Sequence, residues 1–399
     1  MARILFAWEL GAHLGHLGAL VTLAKALRSR GHEAMFAVRD LAASASSLDG
    51  FAFAQAPLLR SVKTSAVAMP SSYAEIMAQY GFTDRDALLA TVRAWRQIFR
   101  WTVPDVIVCD HAPTALLAAR GLVMRRVLYG VGFASPPRVS PLPSFRTWQH
   151  VPEQRLQASE SVVLDSINLV LAKLGVERLN ALHELFAADE AFLCTLPELD
   201  HYGARVGGRY CGPMFDAGST HAASWHASNR KKIFVYMRPN MAGFQPLAQA
   251  LKSLPYSVLW VAPGADSDLA RQHENANLRM VGEPVDLTSA VAQSNAAVLY
   301  GSHGTTAAML LAGVPMALCP NHVEQMLVAR NIERLGAGRI FMPGMGADAL
   351  RSSIEAVVEQ TAYTTASQTF AARYAGFDPC AAISHVAARI HACCERAPV

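Results

Sequence analysis

Apolar and polar positions alternate along the chain in a way that predicts strands followed by amphipathic helices. The apolar run RILFAW (3–8) predicts a first strand, and LGALVTLAKALRSRG (17–31) places apolar residues at helical spacing before it stops at a glycine. The run PDVIVCD (104–110) predicts a later buried strand, again followed by a helical pattern. Repeated strand–helix units predict an α/β fold with a parallel, doubly wound sheet, whose ligands collect at the carboxyl ends of the strands.

The same alternation starts again in the second half of the chain. KIFVYM (232–237) predicts a strand with a helix after it, and the preceding stretch 213–230 has the Gly, Ser, Ala and His content of a linker. The sequence therefore predicts two Rossmann-like doubly wound domains, 1–212 and 231–378, facing across a cleft. The helical segment 379–399 is a candidate to pack back on the first domain.

Two segments of the first half have irregular patterns. The stretch 133–152 is rich in proline and serine, which predicts a long loop, and 61–80 is a second candidate for a mobile surface element. Both are candidates to shape a ligand pocket. The helix predicted around 85–101 carries Trp and Arg, which fits an ordinary amphipathic surface helix better than contact with a membrane or a lipid.

Composition limits the class of protein. Hydrophobic residues make up 52% and charged residues 17%, which favours globular domains over disorder. A formal net charge of +4 is compatible with an anionic ligand but far from a nucleic-acid-binding composition. Glu9, His13 and His16 interrupt the apolar N-terminus, so no signal peptide is predicted, and no apolar stretch reaches the roughly 18 residues of a membrane span.

The cysteine pattern predicts neither a disulfide framework nor a zinc site. The seven cysteines are scattered and none forms a C-x-x-C pair. Cys393 and Cys394 are adjacent, which fits two helix residues better than a soft-metal site. A reducing compartment suits such thiols, and we expect a cytoplasmic protein.

The stretch YGSHGTT (300–306) is the strongest candidate for binding a phosphate group. Gly301 and Gly304 allow close approach of the backbone, and a helix begins directly after the strand, so its first N–H groups can donate to an anion. The helix dipole contributes only about 0.3–1 kcal/mol, so further donors are needed. Arg238 is a candidate cation, and the candidate hydroxyls are Ser302, Thr305 and Thr306. The alternative is an ordinary capped strand-to-helix turn. The loop is neither a Walker loop nor a nucleophile elbow.

The sequence YGSHGTT…GVP…P…EQ resembles the donor-binding signature of GT-B nucleotide-sugar glycosyltransferases, the UDP-glycosyltransferase and antibiotic glycosyltransferase group. In that group the pattern is approximately H-G-S/G-x-G-T-T, then G-V-P, then P-x-x-x-D/E-Q. GAHLGHLGAL and RGHEAMFAV resemble the same group's start, G-H-x-x-P-x-L…R-G-H-E-V. The resemblance covers both halves in the expected order and implies an acceptor-binding first domain and a donor-binding second domain.

The resemblance implies roles for particular residues of the second domain. Residues 301–306, including His303, would wrap a diphosphate, while Glu324 and Gln325 would hold sugar hydroxyls and the backbone around Val285 would contact the nucleobase. The alternative for Glu324 is an acid favoured at a helix N-terminus. The sequence departs from the pattern at Tyr300, where the group has a histidine that contacts the diphosphate. His303 is a candidate substitute for that histidine.

His16 is the candidate general base and Asp110 the carboxylate that orients it. An acceptor hydroxyl must lose its proton during transfer, and histidine, with an ordinary pKa near 6.5, is suited to accept it. A carboxylate fixes the tautomer and stabilises the imidazolium, and the resemblance implies the same pair. The alternatives are a helix-start histidine bound to a carbonyl and an aspartate that caps a helix. His111 is a weaker candidate base, and His13 is a candidate loop or acceptor contact.

These features predict metal-independent transfer of a sugar from a UDP- or dTDP-sugar to a hydroxyl, with inversion and with the nucleotide sugar as co-substrate rather than any bound cofactor. The acceptor would be a small molecule or a lipid. A nucleotide-sugar 2-epimerase and a non-catalytic sugar-nucleotide-binding protein are the alternatives. A dinucleotide site is disfavoured, because GAHLGHLG has the wrong spacing for G-x-G-x-x-G.

Overall fold

The structure is a computed structural model that divides the chain into two units. The first unit comprises Met1–Asp216 together with Asp378–Val399, and the second comprises Ala217–Phe377. The structure describes residues 1–11, 15–59, 69–215, 221–342 and 344–395. Each unit contains one parallel sheet with helices around it, which confirms the predicted α/β fold with two Rossmann-like units.

The first unit is built on a six-stranded parallel sheet with the order β3-β2-β1-β4-β5-β6. Its strands are β1 (Arg3–Trp8), β2 (Glu33–Val38), β3 (Ala52–Gln55), β4 (Val106–Asp110), β5 (Arg125–Gly130) and β6 (Glu190–Leu193). Strands β1 and β4 are nearly devoid of polar residues because both of their faces are covered. The strand order reverses between β1 and β4, where such sheets bind their ligands.

The helices of the first unit cover both faces of its sheet. They are α1 (Gly15–Arg28), α2 (Leu41–Ser44), α3 (Tyr73–Gln79), α4 (Arg85–Thr102), α5 (Pro113–Ala119), α6 (Glu153–Lys173) and α14 (Pro379–Glu395). Helix α14 belongs to this unit although it follows the second unit in the chain, and Val386 and Ile390 are fully buried in the same core as Leu20 of α1. Helix α4 buries one face within the unit and leaves Trp101 exposed.

The second unit repeats the same architecture. Its parallel sheet has the order β12-β11-β10-β7-β8-β9. The strands are β7 (Lys232–Tyr236), β8 (Ser257–Val261), β9 (Leu278–Val281), β10 (Ala296–Leu299), β11 (Met316–Leu318) and β12 (Gly338–Ile340). The helices are α7 (Phe244–Lys252), α8 (Ser267–His273), α9 (Leu287–Gln293), α10 (His303–Leu311), α11 (Val323–Arg334), α12 (Ala347–Glu359) and α13 (Thr361–Arg373). Within the described ranges no helix is both long and apolar enough to cross a membrane.

The interpretation of 61–80 as a mobile surface element is wrong for its second part. Residues 61–68 lie outside the described residues, but Tyr73–Gln79 form α3, and Tyr73 and Met77 are fully buried. Ser72 caps this helix, and the buried Glu75 forms an ion pair with Arg155 of α6 at 2.7 Å. The packing of α3 against α6 makes this part a buried helix.

Candidate functional site

The carboxyl edge of the first sheet brings His16 and Asp110 together. Asp110 ends β4 beside Trp8 of β1, and His16 is the second residue of α1, which follows β1 in the chain. The His16 Nδ1 atom lies 2.8 Å from Asp110 Oδ2. Because a carboxylate only accepts hydrogen bonds, this contact assigns the proton to Nδ1 and makes Nε2 the basic nitrogen of the neutral ring. The two side chains are only 15% and 7% exposed, so water weakens the contact little.

Two glycines make room for this pair. Gly11 has a φ of +89°, and a Cβ added there would lie 2.7 Å from His16 Nε2. Gly130 ends β5 without a positive φ, but a Cβ there would lie 2.6 Å from Asp110 Oδ1. The ring of Trp8 stacks on His16 with 5.8 Å between centroids. Backbone and indole therefore define where the imidazole lies.

The structure also places the alternatives to this pair. Helix α5 begins at Pro113 with Ala112 in the N-cap position, so Asp110 does not cap it. His111 is buried at a φ of +49°, and burial lowers its pKa well below 6.5, so its ring is neutral. Its ring centroid lies 5.9 Å from that of His16. His13 lies outside the described residues.

At the carboxyl edge of the second sheet, α10 begins without a side-chain cap. Ser302 holds the N-cap position, but its side chain makes no capping hydrogen bond. A serine at this position usually accepts from the N–H of the second or third helical residue. Gly304 occupies that first turn, and a Cβ added to it would meet no atom within 4 Å. The first turn of α10 therefore has open space at Gly304 and no side-chain cap from Ser302.

Two more polar groups lie at this edge. The Thr306 Oγ1 atom is buried in α10, and the Nε atom of Arg238, which follows β7, is buried as well. Neither atom has a hydrogen-bond partner among the residues that the structure describes. A buried donor without a partner costs free energy, so both groups favour a ligand that accepts hydrogen bonds.

Gly301 and Tyr300 fix the turn that leads into α10. Gly301 has a φ of +86°, and a Cβ there would lie 2.9 Å from the backbone oxygen of Gln325, so the turn is packed against α11. The ring of Tyr300 is buried 5.5 Å from that of Tyr236. Burial and the neighbouring tyrosine raise the pKa of Tyr300 well above 10, so its hydroxyl stays protonated.

Comparisons with known proteins agree on one class of enzyme. Residues 260–391 match the family model of the erythromycin biosynthesis protein CIII-like C-terminal domain. A PGL/p-HBAD biosynthesis glycosyltransferase of Mycobacterium tuberculosis is 25% identical over 320 residues, which cover 74% of each chain. The glycosyltransferase VinC in complex with dTDP is similar in structure, with a TM-score of 0.69 at 16% identity over 96% of this chain and all of that chain. The rhamnosyltransferase SpnG in complex with spinosyn aglycone has a TM-score of 0.69 at 18% identity, covering 96% of this chain and 99% of that chain.

The chain is a glycosyltransferase with the GT-B fold. The resemblance found in the sequence is thereby confirmed, as is the prediction of an enzyme. The likeness to the solved structures, all under 25% identical, concerns the fold, so the roles of individual residues of this glycosyltransferase rest on its own geometry.

The glycosyltransferase places its other predicted donor-binding residues at one edge of the second sheet. Helix α10 follows β10, and α11 follows the neighbouring strand β11. Glu324 and Gln325, in the first turn of α11, therefore lie at the same sheet edge as the start of α10. Gln325 is buried, and its Oε1 accepts the Asn321 N–H at 2.8 Å, so the amide also holds its own loop. Val285 follows β9, which β8 separates from β7, so it lies further along the same edge.

The sequence interpretation missed the role of Glu9. This carboxylate follows β1 directly and is buried, and its Oε1 accepts the Ala115 N–H at 2.6 Å. Its Oε2 accepts the Thr114 N–H at 3.3 Å and is also in contact with the Thr114 hydroxyl. The available signal was an acidic residue next to a buried strand, at the edge where ligands collect.

Proposed function

We propose that this glycosyltransferase moves a sugar from a UDP- or dTDP-sugar to a hydroxyl of a small-molecule or lipid acceptor, with His16 as general base and inversion at the anomeric carbon. The contact between His16 Nδ1 and Asp110 Oδ2 at 2.8 Å carries the proposal. It places a ring proton on Nδ1, so that Nε2 is the nitrogen that would take the acceptor proton, and general-base assistance of this kind contributes about 10²–10⁴-fold to a rate.

The reaction follows from these groups in one displacement. Nε2 of His16 takes the proton of the acceptor hydroxyl while the oxygen attacks the anomeric carbon, and the bond to the nucleoside diphosphate breaks. Asp110 stabilises the imidazolium that forms. Because attack and departure occur on opposite faces of one carbon, a single displacement inverts its configuration.

The donor loop would stabilise the departing diphosphate without a metal ion. The first N–H groups of α10 would donate to the diphosphate, and Arg238 would supply a positive charge. The Thr306 hydroxyl would be a further donor. Arg238 and these uncharged donors would perform the charge stabilisation that a divalent cation performs in other transferases.

The donor and acceptor classes are supported by the similar proteins. VinC was solved with dTDP and SpnG with spinosyn aglycone, and the mycobacterial relative is named for PGL/p-HBAD biosynthesis. The two titles that name a ligand support a thymidine diphosphate donor and an aglycone acceptor for this chain.

The test is transfer by the purified full chain, with UDP- and dTDP-sugars offered against a panel of phenolic, macrolide and lipid alcohols. We expect nucleotide diphosphate release that depends on the acceptor, an inverted product by NMR, and an unchanged rate in EDTA. His16→Ala should lower kcat by at least about a hundredfold, whereas His385→Ala, at an exposed histidine of α14, should not. Undiminished transfer by His16→Ala would refute the base, and epimerisation of the donor without an acceptor would indicate an epimerase instead.

A further inference from the structure

A buried acid connects the two segments that carry the catalytic pair. Glu9 lies between Trp8, which ends β1, and the loop that leads to His16. Its carboxylate accepts hydrogen bonds from Thr114 and Ala115, in the first turn of the helix that follows Asp110. The side chain therefore spans from the segment of the base to the segment of its carboxylate partner.

Neighbouring backbone contacts strengthen the same connection. The Leu10 N–H donates to the His111 carbonyl at 3.0 Å, and the Trp8 Nε1–H donates to the Leu10 carbonyl at 2.7 Å. Arg39, which follows β2, donates to the Glu9 carbonyl at 3.0 Å. Residues Glu9 and Leu10 are thus fixed at several points, and Glu9 supplies the side-chain contact to α5.

We infer that Glu9 is a positioning residue for the His16–Asp110 base. Helix caps are usually local, whereas Glu9 stands 105 and 106 positions from the two residues whose N–H groups it binds. The local N-cap position is occupied by Ala112, which offers no side-chain oxygen. A serine or asparagine there would satisfy the helix without burying an acid, but it would not tie α5 to the loop after β1.

The hydrogen bonds of the buried Glu9 side chain support this role, because they oppose the effect of burial on its pKa. Burial raises its pKa well above the ordinary value near 4.5, while the N–H groups of Ala115 and Thr114 act in the opposite direction. With the Thr114 hydroxyl, three donors face the Glu9 oxygens, and a carboxylate can accept from each of them. An amide at the same place would turn a donor toward N–H and O–H groups, so Glu9→Gln changes the hydrogen bonding with little change in shape.

The inference rests on the proposed base, and its test reads the His16 ring directly. We would label the full-length protein with ¹⁵N-histidine, assign His16 by its loss in His16→Gln, and record the Nδ1–H resonance at pH 8. Wild type should show the single Nδ1–H tautomer that the contact with Asp110 requires. Glu9→Gln should lose this resonance or show a mixture of tautomers, and kcat should fall about ten- to a hundredfold with KM changed less than about twofold.

Two further variants separate positioning from general stability. Thr114→Val removes only the hydroxyl contact and should change the His16 spectrum in the same direction, to a smaller extent, so it keeps the test open should Glu9→Gln fold poorly. Asp84→Ala is the matched control, because Asp84 caps α4 of the same unit through the Ala87 N–H. It should lower Tm and leave the His16 resonance and kcat unchanged.

The outcomes distinguish this inference from the function on which it rests. A Glu9→Gln protein with a lower Tm, a wild-type His16 spectrum and a wild-type kcat would show that Glu9 is only a structural cap. Full transfer activity in His16→Ala would instead refute the proposed base, whatever Glu9→Gln does to the spectrum. Loss of the Nδ1–H resonance in Glu9→Gln, together with inactivity of His16→Ala, would support both.

Discussion

Gly304→Ala should separate the stability of the second unit from its ability to bind a nucleotide diphosphate. Gly304 lies in the first turn of α10, its φ is not positive, and a Cβ there would meet no atom within 4 Å. Alanine is favoured over glycine in helices by about 0.5–1 kcal/mol. The variant should therefore be at least as stable as wild type, with a Tm raised by up to about 4 °C.

The same methyl group would occupy space that the proposed diphosphate needs. A Cβ on the first turn keeps phosphate oxygens from the N–H groups, and a hydrogen bond to a charged group is worth about 1.5–3 kcal/mol. Loss of one such bond predicts binding of dTDP and UDP that is weaker by about ten- to a hundredfold. Isothermal titration calorimetry measures the affinity, and differential scanning calorimetry measures the stability.

The control for this pair of measurements is Gly15→Ala. Gly15 begins α1 in the first unit and also has no atom within 4 Å of an added Cβ, so this variant should leave nucleotide affinity unchanged. Wild-type affinity of Gly304→Ala for both nucleotides would refute the reasoning that the ligand approaches the backbone of this turn. A lower Tm of Gly304→Ala would refute the conclusion that a Cβ on Gly304 meets no other atom.

Three further predictions concern the first unit. Asp110→Asn should lower kcat by about 10²–10⁴-fold with an unchanged KM for the donor, because the His16 tautomer is no longer fixed. Steady-state kinetics measures both constants, and a variant kcat equal to that of wild type would contradict this prediction. Gly130→Ala, at 2.6 Å from Asp110 Oδ1, should reduce kcat although its backbone is unstrained, and a crystal structure should show a displaced carboxylate. Burial lowers the pKa of His201 to about 3, so the unfolded chain binds a proton below about pH 6.5 that the folded chain does not. Stability should therefore fall on acidification, by about 2 kcal/mol at pH 5, and His201→Leu should reduce this loss in urea titrations at pH 5 and 7.5.

The contact of His16 with Asp110 was predictable because it depends on topology. Both residues come at the carboxyl ends of strands that the alternating pattern identifies, and neighbouring strands of a parallel sheet bring such residues together. The turn before α10 was predictable for the same reason, because a glycine follows the strand there. In the structure Gly301 adopts a positive φ, which glycine favours. Local pattern and strand order suffice for both.

The role of Glu9 and the burial of α3 were not predictable in this way. The sequence shows that an acid follows β1, but whether its side chain turns inward depends on α5, more than a hundred residues later. Likewise the pairing of Glu75 with Arg155, which α6 supplies, makes 73–79 a buried helix rather than a surface segment. Contacts between distant segments decide both cases, and hydrophobic periodicity carries no information about them.

The place of α14 in the first unit sets an order of assembly during synthesis. All residues of the second unit precede Asp378, so on the ribosome this unit has its whole sequence before the first unit does. The strands of the first sheet are synthesised early, but until α14 is synthesised their core lacks Val386 and Ile390. His32 likewise lacks its hydrogen bond at 2.8 Å to His391 until then. A stop codon near residue 378 would thus leave the second unit complete and remove α14 from the unit that carries His16.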